Sequence, residues 1–198
     1  MFGEHEEMSA ALADRSPLAP GDGLLRGLQT GLALHEMGEY ERSNEVLAVA
    51  EVEAELRYTR SLRRELASIL VNDRVLAYTP TAGELAMIPY YRMLNYLALG
   101  DQEGAVVESR KANALLARLD RDPADRCHGD ANILYLAGLV QRSAGELNDA
   151  LVSLRQAERS LAGCRGGGGA GGEAARMIAL DLYDVARATG VIEVADSI

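Results

Sequence analysis

A register of small residues, glycines and acids occurs three times along the chain and limits what it can fold into. Each copy begins with one residue and has a Gly seven positions later, directly followed by an acidic residue. Two small residues come next, the first four positions after the acid and the second seven positions after the first. The copies read Gly31-(x6)-Gly38-Glu39-(x3)-Ser43-(x6)-Ala50, Met93-(x6)-Gly100-Asp101-(x3)-Ala105-(x6)-Ala112 and Gly138-(x6)-Gly145-Glu146-(x3)-Ala150-(x6)-Ala157. Self-similarity of this kind is typical of stacked structural units.

Each position of this register has a physical role in a pair of antiparallel helices. A small residue midway along the first helix lets the second helix approach closely. The turn glycine takes the left-handed backbone that ends a helix, and the acid after it lies near the next helix's positive N-terminus. The two small residues share one face of the second helix. The register predicts three degenerate helix pairs, and the alternative is an ordinary helical bundle with incidental glycines.

Composition agrees with an all-α protein that is not a nucleic-acid binder. The chain has 198 residues, which suits one domain, and hydrophobic residues make up 48% of it. Ala, Leu, Glu and Arg are abundant, and these are strong helix formers. A net charge of −10 repels phosphate backbones. No apolar run approaches the ~20 residues that a transmembrane helix needs, so no transmembrane segment is expected.

Breakers and glycines divide the chain into four predicted segments. Residues 1–21 form an N-terminal arm with a short helix over 8–15, residues 22–162 a helical array, residues 163–172 a glycine-rich tether, and residues 173–198 a C-terminal capping helix and tail. Predicted helices of the array span 23–37, 41–57, 84–99, 101–119, 130–144 and 146–162, with a continuation or separate helix over 60–71 and a loop over 72–83.

The amino-acid sequence of three blocks shows a family resemblance. Leu134-x2-Ala137-Gly138 with Ala150-x3-Leu154 resembles the tetratricopeptide pattern, although the Trp and closing Pro positions of that pattern are not kept. The blocks 24–44, 78–110 and 135–150 are similar to an uncharacterised family of bacterial tetratricopeptide-like proteins, which includes cell-envelope lipoproteins associated with regulators of peptidoglycan synthesis. The resemblance implies tetratricopeptide-like antiparallel helix pairs, and it offers no catalytic residues. This chain departs from such members in lacking the lipoprotein signal and its acylated Cys.

The concave face of such an array is its default binding surface. It should be lined by the first helix of each pair, and Leu28 and Leu32 fall on that face. The predicted partner-binding groove consists of His35, Tyr90, Leu94, Leu97, Asn132, Tyr135, Leu139 and Arg142. Tyr and Arg are favoured interface anchors. The alternative is that these residues pack against the capping helix.

Two other sets of charged residues have a binding and a structural interpretation. Arg57, Arg60 and Arg64 share one helical face, which could dock an acidic partner or could be a solvated face paired with Glu53 and Glu65. Three further residues belong to the family-like block and are expected to hydrogen-bond internally, with a ligand role ranking second: Glu84, Glu108 and Arg110.

No residue pattern indicates catalysis, a cofactor or a metal. The glycine-rich stretch lacks the Lys and the preceding strand of a phosphate-binding loop, and the three histidines do not share a neighbourhood in any helix-pair arrangement. Cys127 precedes the first helix of the third pair and Cys164 follows the second, so both lie at one end of that pair. A disulfide between them is geometrically possible, and two free thiols are the alternative.

The function predicted from these observations is non-catalytic. The chain is expected to be a scaffold that mediates protein–protein interaction by holding a protein or peptide partner, with a role in bacterial cell-envelope assembly implied by the resemblance. The alternative is a small-molecule or lipid sensor with the ligand between the array and the C-terminal helix. Self-association as a homo-oligomer is a further expectation. The acidic N-terminus lacks a secretory signal, which indicates the cytoplasm, or the periplasm or envelope if a signal has been removed.

Overall fold

A computed structural model of the chain is all-helical in the residues that it describes, which are 23–67, 78–118, 128–162 and 170–191. Residues 61–67, 128–129 and 170–171 are described by their backbone alone. Seven helices and no strand occur in these ranges. The helices are α1 (Gly23–Glu36), α2 (Tyr40–Ala67), α3 (Ala82–Ala98), α4 (Gln102–Arg118), α5 (His128–Ser143), α6 (Leu147–Ala162) and α7 (Ala170–Thr189).

Most helices lie within two residues of their predicted bounds, and the differences have local causes. Helix α2 is one continuous helix, whereas the sequence analysis allowed either one helix or two in this region. Helix α3 begins at Ala82 because Thr81 and Glu84 form a capping box. Helix α7 begins at Ala170, inside the segment predicted as a tether, and Glu173 in its first turn favours an N-terminus there. The predicted arm and most of the predicted tether lie outside the described residues.

The chain divides into two compact units, each of which is described by itself. The first unit ends at Leu99 and contains α1, α2 and α3. Helix α2 packs against both α1 and α3, and α1 also contacts α3. The second unit begins at Gly100, and its four helices pack in chain order, α4 on α5, α5 on α6 and α6 on α7. The second register runs from α3 into α4 and therefore crosses the unit boundary.

The turn glycines have the backbone that the register predicted. The φ angles of Gly38, Gly100 and Gly145 are 78°, 71° and 81°. At Gly38 the amide donates to His35 O at 2.9 Å, and the Glu39 amide reaches back to Leu34 O at 2.9 Å. Gly145 and Glu146 repeat this pair of bonds, which is the Schellman arrangement that closes a helix C-terminus. The glycines therefore set the hairpins α1–α2 and α5–α6.

Two other glycines let the helices of each hairpin approach closely. A Cβ built on Gly31 of α1 would lie 2.5 Å from Leu47 Cδ2 of α2. A Cβ built on Gly138 of α5 would lie 2.7 Å from Leu154 Cδ2 of α6. Each leucine is buried in the space that a larger residue would need. The sequence prediction of a small residue at these two positions is thus explained by a specific contact.

Buried polar side chains join the helices of both units. In the first unit Asn95 of α3 donates from Nδ2 to Ser43 Oγ at 2.9 Å and to Asn44 Oδ1 at 3.0 Å, and Ser43 donates to Gly31 O. In the second unit Gln141 of α5 bonds both Ser109 of α4, at 3.0 Å, and Ser153 of α6, at 2.7 Å. Because these groups are buried and bonded across helices, they fix how neighbouring helices are aligned.

Helix α7 is attached to α6 by a compact apolar cluster. The buried members of the cluster are Ala150, Leu151, Leu154, Leu182, Val185 and Ala186, with Tyr135 and Val191 packed against them. Gly190, at φ 74°, ends α7 and turns Val191 back to bond Ala186 O. The helix is therefore an integral part of the second unit, with one face fully buried.

Candidate functional site

Two of the predicted groove residues of the first unit, His35 and Tyr90, belong to an aromatic cluster with Tyr40 and Tyr91. His35 makes edge contacts with Tyr91, at 5.0 Å between ring centroids, and with Tyr40, at 5.8 Å. Tyr90 lies against Tyr91 at 5.5 Å. Of the two predicted leucines on α3, Leu94 is half-buried, whereas Leu97 is exposed. His35 of α1 and Tyr90 of α3 therefore lie in one cluster, and His35 is held by its neighbours.

The hydrogen bond of His35 fixes which ring nitrogen carries a proton. Its Nδ1 lies 2.6 Å from Asn95 Oδ1. Asn95 already donates from Nδ2 to Ser43 and Asn44, so its oxygen is the acceptor. His35 Nδ1 must therefore be the donor, and this assignment follows from the hydrogen-bond network. The histidine acts as a link between α1 and α3.

Two of the four predicted groove residues of the second unit, Tyr135 and Arg142, bond α7. The Tyr135 hydroxyl donates to Asp181 Oδ2 at 2.6 Å. Arg142 Nη1 donates to Asp181 Oδ1 at 2.6 Å, and its Nη2 lies 3.4 Å from Asp184. Leu139 is half-buried and Asn132 is exposed. Tyr135 and Arg142 thus hold the C-terminal helix, which is the packing role weighed as the alternative to partner binding.

Asp181 also changes the acid–base behaviour of Tyr135. Burial of the ring, followed by the hydrogen bond to the Asp181 carboxylate and its negative charge, raises the pKa of Tyr135 to about 12. The guanidinium of Arg142 acts in the opposite direction but is outweighed. The phenol is consequently a firm donor to Asp181 at neutral pH.

An open apolar groove occurs in the first unit, and most of it lies outside the predicted set. Its volume is about 290 Å³. The residues that line it come from all three helices and the segment before α3: Leu25, Leu28, Gln29, Leu32, Leu47, Tyr78, Glu84, Met87, Ile88 and Tyr91. Leu32 at its edge is 38% exposed. We call this feature the α1–α3 groove.

The polar end of the α1–α3 groove is a small hydrogen-bond cluster around Glu84. Its carboxylate accepts from the Tyr78 hydroxyl at 2.6 Å and from the Thr81 amide at 2.8 Å. Partial burial raises the pKa of Glu84, but the hydrogen bonds from Tyr78 and Thr81 outweigh burial and leave it below its ordinary value. Burial and Glu84 together raise the pKa of Tyr78. Glu84 is thus a fixed negative charge at the groove, and it has the internal structural role expected of it.

A second carboxylate acts on the groove from α1. Burial raises the pKa of Tyr91, and the negative charge of Glu36 raises it further. Tyr91 lines the groove, and Glu36 is exposed at the end of α1. The groove therefore combines an apolar lining with negative charge near Glu84 and Tyr91.

Part of the groove lining could be recognised from the helical spacing of apolar residues in the sequence. Leu25, Leu28 and Leu32 recur at helical spacing on α1, and the last two were assigned to the binding face. On α3, Glu84, Met87 and Tyr91 recur in the same way. Which face of α3 meets α1 depends on the hydrogen bonds of Asn95 to residues distant in sequence. The sequence therefore did not indicate the α3 side of the groove.

Three of the remaining charged candidates, Arg57, Glu108 and Arg110, have partners within their own units. Arg57 is ion-paired with Glu53 and donates to Tyr78 O at 2.8 Å, so it ties α2 to the segment before α3. Arg60 is exposed, and the side chain of Arg64 lies outside the described residues. In the second unit Glu108 is buried and bonds Lys111, while Arg110 joins α4 to Glu146 and Asp149.

Cys127 and Cys164 both lie outside the described residues, so their pairing stays a hypothesis. Across the part of the chain that is described, no three His, Cys, Asp or Glu side chains gather in a group able to hold a metal ion. None of the described helices is both long enough and apolar enough to cross a membrane.

Comparison of the chain with protein-family models, curated proteins and solved structures finds no match.

Proposed function

We propose that this protein is a non-catalytic scaffold that docks a partner protein or peptide in the α1–α3 groove. The observation that carries the proposal is the groove itself, an open channel of about 290 Å³ with Leu, Ile, Met and Tyr side chains along it. Grooves of this kind accept the apolar face of an amphipathic helix, whose anchors recur every three or four residues. In this proposal the helix hairpins are degenerate tetratricopeptide-like units, and the role in cell-envelope assembly rests on the family resemblance.

The charges around the groove define the chemistry of the partner. Glu84 is held as an anion by Tyr78 and Thr81, and Glu36 acts on Tyr91. The chain as a whole carries a net charge of −10. A partner segment should therefore place leucine-like anchors in the groove and Lys or Arg beside them, because complementary charge both attracts and orients it.

Selection from a displayed library of random peptides tests this proposal with the full chain as bait. The informative variant is Leu32→Lys, which removes an apolar side chain from the edge of the groove and adds a positive charge there. The matched control is Val152→Lys, an exposed apolar residue of α6 in the second unit. Circular dichroism of both variants establishes that each is folded.

The expected peptides carry two or more apolar anchors at helical spacing together with Lys or Arg. They should bind the wild type and Val152→Lys equally, and should lose at least ~1.4 kcal/mol, or tenfold in affinity, on Leu32→Lys. Peptides that bind Leu32→Lys as tightly as the wild type would refute the α1–α3 groove as the docking site.

A small-molecule or lipid sensor is the second candidate, favoured by the nearly continuous apolar lining of the same groove. Between α6 and α7, where the sequence analysis suggests such a ligand, an apolar cluster is packed. A volume of about 290 Å³ is near the lower end of small-molecule sites. Native mass spectrometry of the purified chain distinguishes the candidates, because a sensor should retain a bound mass that Leu32→Lys loses.

A further inference from the structure

Two carboxylates act on the α1–α3 groove, and they differ in how they are bonded. Glu84 accepts from the Tyr78 hydroxyl through Oε1, and from the amide and hydroxyl of Thr81 through Oε2. Glu36 is exposed at the end of α1. Among the described residues, none hydrogen-bonds Glu36 or forms an ion pair with it. Both oxygens of Glu84 are therefore occupied, whereas those of Glu36 are open to a partner.

Helical spacing places Glu36 on the face of α1 that lines the groove. Leu25 and Leu32 of that face line it, and Glu36 follows Leu32 by four residues, about one turn. Glu36 therefore lies ~6 Å beyond Leu32 along the helix axis. It is also the last residue of α1, where the helix dipole adds partial negative charge. A cation is consequently favoured one turn beyond Leu32.

The ring of Tyr91 belongs to the same end of the groove. Tyr91 lines the groove, and edge contacts with His35, at 5.0 Å between centroids, and with Tyr90, at 5.5 Å, hold its ring. Burial raises the pKa of Tyr91, and the negative charge of Glu36 raises it further. An aromatic ring and a carboxylate are thus near each other on α3 and α1.

This pair lacks the direct bond that two other tyrosines form with carboxylates. Tyr78 donates to Glu84 at 2.6 Å, and Tyr135 donates to Asp181 at 2.6 Å. Within the described part of the chain, the Tyr91 hydroxyl has no hydrogen bond to any residue. The acceptors of Glu36 and the ring of Tyr91 are therefore available to a donor from another molecule.

Arginine has the chemistry that fits a carboxylate beside an aromatic ring. Its guanidinium is planar and has five N–H donors, so it can pair with a carboxylate and stack on a ring at the same time. The ammonium of lysine is a compact point charge that cannot stack in this way. A guanidinium over a tyrosine face gains a cation–π attraction as well.

We propose that the partner segment docked in the α1–α3 groove places an arginine between Glu36 and Tyr91. The inference rests on the proposed docking of a helix in this groove, and it adds where the positive charge of that helix binds. A helix that follows α1 carries the arginine about four residues, or ~6 Å, beyond the apolar anchor next to Leu32. Glu84 takes no such part, because its own chain already bonds both of its oxygens.

Three synthetic helical peptides of otherwise identical sequence test the inference with the full chain. Each has leucine at positions i, i+3 and i+7, and position i+11 is arginine, lysine or citrulline, which is a neutral group of nearly the same shape as arginine. Fluorescence anisotropy gives the Kd of each peptide for the wild type and for Leu32→Lys. The matched pair Glu36→Gln and Glu84→Gln removes one carboxylate charge from each of the two positions. Circular dichroism establishes that every variant is folded.

On the wild type, the arginine peptide should bind about tenfold more tightly than the citrulline peptide, because it gains both the ion pair and the cation–π contact. The lysine peptide should lie between the two. Glu36→Gln should weaken the arginine peptide about fivefold and the citrulline peptide much less, whereas Glu84→Gln should change either by no more than about twofold.

Leu32→Lys separates a failure of this inference from a failure of the groove, because it acts on docking itself and should weaken all three peptides. If it does so while the arginine and citrulline peptides bind the wild type alike, the groove stands and the arginine position is wrong. The same holds if Glu84→Gln weakens the arginine peptide as much as Glu36→Gln. If no peptide binds the wild type, or Leu32→Lys changes none of them, docking in the groove fails and the arginine site fails with it.

Discussion

Two glycines of α1 lie four residues apart and face different surroundings on α2. A Cβ on Gly27 would meet Ala50 Cβ at 3.5 Å, which is ordinary van der Waals contact. A Cβ on Gly31 would meet Leu47 Cδ2 at 2.5 Å, which requires the buried leucine to move. At the residue scale, the same change from Gly to Ala should therefore have opposite effects at these positions.

We expect Gly27→Ala to raise the free energy of unfolding by about 0.5–1 kcal/mol, because alanine is the better helix former. Gly31→Ala should lower it by about 1–3 kcal/mol through overpacking against Leu47. Urea denaturation followed by circular dichroism measures both. A stabilised Gly31→Ala would mean that α1 and α2 separate without cost, contrary to the packing described.

The phenol of Tyr135 gives the second unit a pH dependence in the alkaline range. Its pKa is about 12 in the folded chain, against an ordinary value of about 10. Because the folded state favours the neutral phenol, the stability from this group is fully present below about pH 10 and is lost as the pH rises toward 12.

In Tyr135→Phe, absorbance titration of tyrosinate should show one tyrosine fewer among those that ionise above the ordinary pH range. The variant should also lose less stability than the wild type between about pH 10 and 12. Asp181→Asn keeps the ring but removes the negative charge, so Tyr135 should titrate earlier in that variant. An unchanged titration curve in Asp181→Asn would show that the carboxylate does not act on the phenol.

At the scale of single elements, α3 owes its first turn to a reciprocal cap. The Glu84 amide donates to Thr81 Oγ1 at 3.2 Å, while the Thr81 amide donates to the Glu84 carboxylate at 2.8 Å. The same turn positions Glu84 at the α1–α3 groove. Local capping and the candidate site are therefore built from the same two residues.

Thr81→Ala should lower the free energy of unfolding by about 0.5–2 kcal/mol, because it removes the acceptor for the helix amide. Glu84→Gln should cost less, since glutamine also completes a capping box, while removing the negative charge from the groove. Thermal denaturation of the two variants provides the comparison. A larger loss in Glu84→Gln would indicate that the charge on Glu84 stabilises the segment more than the cap does.

Helix α7 offers two leucines, two residues apart, in opposite environments. Leu182 is fully buried against α6, and Leu180 is 61% exposed. Leu182→Ala should lower the free energy of unfolding by about 2–5 kcal/mol through the cavity that it leaves. Leu180→Ala should change it by less than about 0.5 kcal/mol. Urea denaturation makes this comparison, and equal losses would contradict the orientation of α7.

At the scale of the whole molecule, the excess of acids shapes how partners approach. The chain carries a net charge of −10. Binding of a basic peptide in the α1–α3 groove should therefore depend on the salt concentration.

Association of a basic groove-binding peptide should slow by roughly tenfold or more when the salt concentration rises from about 0.01 M to 1 M, because the Debye length falls from ~30 Å to ~3 Å. Dissociation should change much less. Stopped-flow fluorescence of a labelled peptide measures both rates, with the neutral analogue of the peptide as control. A rate that does not depend on salt would show that the acidic surface plays no part in recognition.

The sequence by itself determined the elements and the local devices that connect them. The positions of the helices, the left-handed turn at Gly145 and the close approach at Gly138 all follow from residues near each other in the chain. They could be predicted because helix caps and hairpin contacts depend on fixed short spacings. The faces bearing Leu28 and Leu32 were identified for the same reason.

Only the tertiary structure decided what those faces meet. The groove needs α3 to present Met87 and Tyr91 to α1, and this rotation is set by Asn95, which bonds residues more than fifty positions earlier. The sequence left Tyr135 and Arg142 open between binding a partner and packing against the capping helix, and Asp181, some forty positions later, bonds both from α7. Helical periodicity shows which residues share a face, but the neighbour of that face depends on contacts between distant residues that no local spacing records.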